Sequence, residues 1–198
     1  MPPMPPITQA LLLANVAIFC IDQLFLGGLL SKWFALWPVG PNFAPYQLVT
    51  YAFLHGSLMH LFFNMLGLWM FGAELERVWG PKRFMQFYAA SLLAAAGMQL
   101  LVNFLIGSPY PTVGASGALF GLLLAFGMMF PNRTIMPLFP PIPMKARTFV
   151  IVFGVLELLL GLYNRGGIAH FAHLGGMVGG FLMIRYWRKQ PPFGSRRR

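Results

Sequence analysis

Residues 54–75 read Leu54-His-Gly-Ser-Leu-Met-His-Leu-Phe-Phe-Asn-Met-Leu-Gly-Leu-Trp-Met-Phe-Gly-Ala-Glu-Leu75. As a helix the run is long enough to cross the hydrocarbon core of a bilayer, which takes about 20 residues. It nevertheless carries His60 and Asn64, spaced i, i+4 and so stacked on one helix face, with His55 at its start. Polar groups within a span are costly in lipid and turn toward a bundle interior or a water-filled cavity. The stretch therefore reads as a span that carries polar chemistry into the membrane.

The rest of the chain supplies a bundle for it to join. Only 9% of the residues are charged, against about 25% in soluble domains, and 58% are hydrophobic. Such a chain has too little polar surface to cover itself in water. Five further apolar runs have the length of spans or approach it: residues 7–26, 84–106, 115–130, 148–163 and 168–186. The expectation is an all-α membrane protein, a six-transmembrane-helix bundle forming one domain over residues 1–198. The fourth and fifth runs are short for full spans. Residues 27–50, with Trp33, Trp37, Pro38, Pro41 and Pro45, are expected to lie at the headgroup level, where Trp concentrates. Residues 131–147 are too rich in proline to continue a helix. Residues 1–6 have no Lys or Arg, so the first run lacks the basic flank of a cleaved signal and reads as a retained span. The single cysteine, Cys20, rules out an internal disulfide and reads as a packed apolar residue.

The net charge is +10, but no basic face interleaved with aromatics is present, so nucleic acid is not an expected partner. The basic residues instead set an orientation. With six spans, 12 of the 14 fall on the side of both termini: Arg77, Lys82, Arg83, Arg133, Lys145, Arg147, Arg185, Arg188, Lys189, Arg196, Arg197 and Arg198. Only Lys32 and Arg165 fall opposite. By the positive-inside rule both termini are cytoplasmic. The long first loop and the turns at 110–114 and 164–167 then face outward.

That orientation gathers the polar residues. The second, fourth and sixth spans all enter from the outer side. The fourth opens with Gly114-Ala-Ser116-Gly117, and the sixth carries His170 and His173 before Gly175, Gly176, Gly179 and Gly180. Ser116, His173, His60 and Asn64 are thus expected at similar depth. Small residues four apart, such as Gly117 with Gly121 and Gly176 with Gly180, let helices approach closely. A serine hydroxyl becomes a nucleophile when a neighbouring base takes its proton, and histidine, with an ordinary pKa of about 6.5, is the usual base. Attack on a peptide carbonyl creates an oxyanion that needs prepositioned donors. Asn64, His60 and the Ser116 backbone N–H at a helix start could supply them. The acids are Asp22, Glu74, Glu76 and Glu157. None has a sequence relation to His173 that suggests an orienting carboxylate, so a Ser–His dyad is expected. Glu157 reads as a buried structural hydrogen bond.

Three motifs together resemble the rhomboid family of intramembrane serine proteases, of the compact six-span bacterial type. They are His55-Gly-Ser-Leu-Met-His60-Leu-Phe-Phe-Asn64, Gly114-Ala-Ser116-Gly117, and Ala172-His173-Leu-Gly-Gly176 with Gly180. The resemblance covers nearly the whole chain. It implies Ser116 as nucleophile and His173 as base, with Asn64 and His60 stabilising the oxyanion and His55 in support. It implies a structural role for Glu76 and favours His173 over His170 as the base. It further implies transmembrane protein substrates cut near the outer membrane face, a lateral gate at the fifth span, no cofactor or metal, and a location in the cell (inner) membrane. Two other readings compete. A haem- or metal-binding protein could use His60 and His173 as ligands, but that leaves Ser116 and Asn64 without a purpose. A non-catalytic rhomboid-like binder of membrane spans would need no serine–histidine pair. A transporter is disfavoured because the chain has no repeated halves.

Overall fold

The computed structural model describes residues 3–138, 141–163 and 169–188. Arg165 and the 164–167 turn, the start of the sixth run at Ile168, Lys189 and Arg196–Arg198 lie outside the described residues.

The first apolar run is helix α1, Pro6–Phe25. Pro6 supplies the fixed φ suited to a first helical turn. The following loop folds on itself around short helices α2, Leu30–Phe34, and α3, Gln47–Thr50, the latter continued by a 3-10 turn at Tyr51–Phe53. Side chains hold its backbone in several places. The buried Gln47 amide donates to the Trp33 and Asn42 carbonyls at 3.0 and 2.9 Å. Thr50 Oγ1 donates to the Phe34 carbonyl, and the Leu30 N–H donates to Asp22 Oδ1 at the end of α1.

The second span begins at Leu58, four residues later than its apolar run suggested. Helix α4, Leu58–Gly67, is capped by Ser57, whose hydroxyl accepts from the His60 N–H at 3.1 Å. An extended Ser capping the third residue onward starts a helix more effectively than the preceding His-Gly can. A π-helical turn, Leu68–Gly72, joins α4 to helix α5, Ala73–Ile106. The helical run Leu58–Ile106 is 49 residues long, twice what a bilayer needs. It divides at Gly80, whose φ of 77° and ψ of 164° no helix accommodates, immediately before Pro81. Gly80 adopts the positive φ without penalty, and Pro81 then serves as a first-turn proline.

Helix α6, Ser116–Met129, is the bundle's axis: nine of its 14 residues are buried. At 1.5 Å per residue it is only about 21 Å long. A two-residue ladder, β1 (Thr134–Ile135) with β2 (Met144–Lys145), closes the proline-rich loop. Helix α7, Ala146–Tyr163, and helix α8, His170–Trp187, complete the bundle. Of the two short runs, the fourth is enclosed as α6 and the fifth, α7, is not. In α7 only Ala146, Phe149 and Val150 are buried, all in its first half.

Glycine sets the packing of α8. A methyl group on Gly175 or Gly179 would lie 2.5 Å from Met98 Cβ or Ala94 Cβ of α5. One on Gly176 would lie 2.6 Å from the Gly117 carbonyl carbon of α6, and one on Gly180 would meet Phe87 Cζ of α5 at 2.7 Å and Gly121 Cα of α6 at 3.3 Å. Gly175 and Gly179 therefore face α5, Gly176 faces α6 and Gly180 lies against both, so α8 sits wedged between α5 and α6.

One end of the bundle gathers charges. Glu76 accepts from the Ile7 and Thr8 N–H groups and the Thr8 hydroxyl at 2.7–3.0 Å, capping α1. Glu74 pairs with Arg133 at 2.7 Å. The α1 start, the α5 bend and the loop after α6 thus share one end, and the loop before α6 lies at the other.

Candidate active site

Ser116 is the first residue of α6. Its position is fixed by the loop before it. Leu36 and Thr112 exchange backbone hydrogen bonds at 2.9 and 3.0 Å, and the Gly114 N–H donates to the Tyr51 carbonyl at 2.9 Å. Tyr51 is itself anchored by its hydroxyl on the Leu92 carbonyl of α5. Gly114, at φ 121°, lies so close to α4 that a methyl group there would meet His60 Nε2 at 2.7 Å and come within 3.6 Å of Asn64 Nδ2. Only glycine fits both the backbone angle and the space.

His173 is the fourth residue of α8. Its Nε2 lies 2.7 Å from Ser116 Oγ, across the α6–α8 contact. Its ring stacks on Phe120, one turn beyond Ser116, with centroids 4.3 Å apart and planes 6° from parallel. The ring's other nitrogen, Nδ1, lies 2.8 Å from Glu157 Oε2 on α7. His170 Nδ1 lies 2.7 Å from that same oxygen. His173 therefore does have a carboxylate partner, where the acids' places in the sequence suggested none. It is Glu157, brought over by the packing of α7 against α8.

The remaining sequence candidates surround this pair. His60, in the first turn of α4, lies with Asn64 against Gly114, two residues before Ser116. Asn64 is 5% exposed, and its Nδ2 has no hydrogen-bond partner among the described residues. His55 precedes α4 rather than belonging to it. It is buried and packs its ring edge-on to His60 at 5.0 Å. His170, the rival base, meets Glu157, while the ring on Ser116 is that of His173. Phe120 and Glu157 were not foreseen in these roles. Phe120 stands at i+4 from Ser116, so helical spacing alone could have placed it beside that serine.

Among the described residues, one group could hold a metal ion: Glu157, His170 and His173, whose donor atoms lie within 4.8 Å of one another. It does not include His60. Both nitrogens of His173 are already engaged, with Ser116 and with Glu157. A ligand pair of His60 and His173 would have to break one of these contacts.

Residues 42–190 match the Rhomboid domain family, three quarters of the chain. The chain belongs to the rhomboid family. It is 36% identical to "Rhomboid protease GluP" of Bacillus subtilis over 69% of its own length and 25% of that protein's. It is 31% identical to "Rhomboid protein 1, mitochondrial" of Saccharomyces cerevisiae, over 92% and 54% of the two chains. With "Rhomboid protease GlpG" of Yersinia enterocolitica it shares 29% identity over 92% and 62%. The chain thus spans from a quarter to about three fifths of the length of these rhomboid relatives. Together with its apolar helices, membership makes it a multi-pass membrane protein with a rhomboid-like all-α bundle.

Proposed function

We propose that this rhomboid is an intramembrane serine endopeptidase that cuts transmembrane protein substrates near the outer membrane face. The observation that carries the reading is the 2.7 Å contact between His173 Nε2 and Ser116 Oγ. As Ser116 Oγ attacks the scissile carbonyl, His173 Nε2 takes its proton. The tetrahedral oxyanion is received by the Ser116 backbone N–H, which as the first residue of α6 has no partner within the helix, and by the Asn64 amide and His60 ring. His55 supports His60 from behind. Collapse passes the proton to the leaving amine. Water then hydrolyses the acyl-enzyme, with His173 again as base. Names of relatives such as "Rhomboid protease GlpG" support this class of activity.

A peptide in an intact helix has its carbonyls engaged in the helical ladder, so the substrate must unwind locally to reach Ser116. The thinly packed α7 is the side on which it enters. The protein sits in the cell (inner) membrane, both termini in the cytoplasm, and needs no cofactor.

A fluorophosphonate probe, applied in detergent or liposomes, tests the reading. Wild type is labelled and cleaves a single-span substrate; Ser116→Ala and His173→Ala do neither. Labelling that survives in Ser116→Ala overturns the assignment.

A further inference from the structure

The membrane half of α7 poses a question that the proposed chemistry leaves unanswered. Beyond Val150 no residue of α7 is buried, and its face toward lipid carries Val155, Leu156, Leu158, Leu159, Leu160 and Leu162. Into this apolar stretch the chain places Glu157, whose carboxylate no basic residue of α7's outer half accompanies. An acid within a span is expensive and needs a partner from a neighbouring helix. Glu157 has two such partners, and both end on one oxygen: His170 Nδ1 at 2.7 Å and His173 Nδ1 at 2.8 Å. The two rings stand at 89° to each other, so they reach that oxygen from different directions.

We propose that Glu157 is a positioning residue of this site: anchored by His170, its carboxylate holds the His173 ring with the proton on Nδ1 and the lone pair of Nε2 turned to Ser116. The proposal rests on the serine-protease reading only for its kinetic consequence, because the ring's tautomer is a property of the resting protein.

The logic is one of donors and acceptors. An ionised carboxylate only accepts hydrogen bonds, so each Nδ1 facing it must carry a proton. In a neutral imidazole the other nitrogen is then an acceptor. That is the form of His173 able to take the Ser116 proton. The opposite tautomer would present an N–H to Ser116 and could not act as a base. In Ser-His-Asp enzymes, an acid in this place orients the base and stabilises the imidazolium formed during attack. Phe120 fixes the plane of the His173 ring but cannot choose between its tautomers, having no hydrogen-bonding group. Ser116 cannot choose either, because a hydroxyl both donates and accepts. Of the groups facing His173 (Ser116 on α6, His60 on α4, His170 on its own helix and Glu157 on α7), only Glu157 is an obligate acceptor at Nδ1. A purely structural tie between α7 and α8 would need only His170.

The test combines nitrogen NMR with steady-state kinetics on the full chain in detergent. Ring nitrogens are labelled with 15N in histidine, and the His173 signals are assigned by their loss in His173→Gln. Wild type is expected to show Nδ1 protonated and Nε2 bare. In Glu157→Gln the His173 ring is expected to become a mixture of tautomers. Its kcat should fall by at least about tenfold with KM within about twofold, since the loss is confined to the transition state. Glu157→Asp keeps the charge and should retain more activity than Glu157→Gln. A wild-type His173 with Nε2 protonated and Nδ1 bare overturns the proposal, and this needs no variant to fold. So does a Glu157→Gln protein with an unchanged tautomer and unchanged kcat; the protease reading would then survive. If wild type cleaves nothing yet its His173 tautomer depends on Glu157, the positioning role stands and the protease reading falls.

Discussion

At the scale of single residues, the site is notable for what is left unbonded. Asn64 Nδ2 is buried without a partner among the described residues. A buried donor left in this state costs about 1–3 kcal/mol. The cost is explained if the donor is held for a charge that exists only during reaction. A specific separation of effects follows for Asn64→Ala. Removing an unsatisfied donor should leave thermal stability unchanged or raise it. Removing one oxyanion donor should lower kcat about 10²–10³-fold. Melting in detergent and turnover of a model substrate measure the two separately. A kcat within twofold of wild type would end the oxyanion role of Asn64. A large fall in melting temperature would show instead that its side chain is a packing element.

How far these residues could be read from sequence depended on where their partners lie. Ser116, His173, His60 and Asn64 each stand in the first two turns of a helix entering from one side, so topology alone sets them at a common depth. Glu157 reads from the sequence as a buried structural hydrogen bond, not as a partner of His173. Its contact joins α7 to α8, and nothing in the sequence ties residue 157 to residue 173 in register. Helical periodicity describes one helix at a time; the rotation of one helix against another is decided by packing. His55 was placed inside the second span because hydropathy sees only an apolar run. The Ser57 cap, a hydrogen-bond effect, starts the helix three residues beyond it.

At the scale of elements, the bundle depends on α8 lying in close contact with both α5 and α6. The two glycine stripes make that possible, and their consequences differ from those of a glycine outside the interface. A methyl group on Gly176 would come within 2.6 Å of the Gly117 carbonyl carbon and 3.3 Å of its Cα. These are backbone atoms of the turn that carries Ser116, so they cannot move aside without moving Ser116. Gly97, within α5, has nothing within 4 Å of the corresponding position. Replacing a helical glycine by alanine is worth about 0.5–1 kcal/mol in stability where space allows. Gly97→Ala should therefore raise or preserve the melting temperature and leave activity intact. Gly176→Ala should lower it and reduce fluorophosphonate labelling of Ser116 more steeply than the loss of folded protein explains. Equal behaviour of the two variants would show that α8 does not pack as tightly as these distances require. The stripes themselves were visible in the sequence as small residues four apart. Which neighbour each glycine meets was not, because adjacent glycines on one helix give no clue to which helix each will touch.

At the scale of the whole molecule, the charges and the hydrogen bonds of the bundle agree on one end. Pro3 accepts from Arg77, Glu76 caps α1, and Arg133 reaches Glu74, so the chain start, the α5 bend and the loop after α6 are bonded together. This is the end that holds Arg77, Lys82, Arg83, Arg133, Lys145 and Arg147, and basic loops stay on the cytoplasmic side. The loop of residues 107–115, leading into Ser116, lies at the opposite end and carries no basic residue. The site should therefore open outward, and the direction can be measured without reference to catalysis. Cys20 is the single cysteine and can be replaced by serine to give a silent background. Ser108→Cys then places one thiol in the loop before α6, and Met136→Cys places one in the loop beyond it, where Met136 is 63% exposed. In intact spheroplasts, a membrane-impermeant maleimide should label Ser108→Cys and spare Met136→Cys, and permeabilisation should make the second reactive. The reverse pattern would put the Ser116 mouth on the cytoplasmic side. Charge would then have failed as the determinant of orientation, and substrates would have to present their cleavage sites from within the cell.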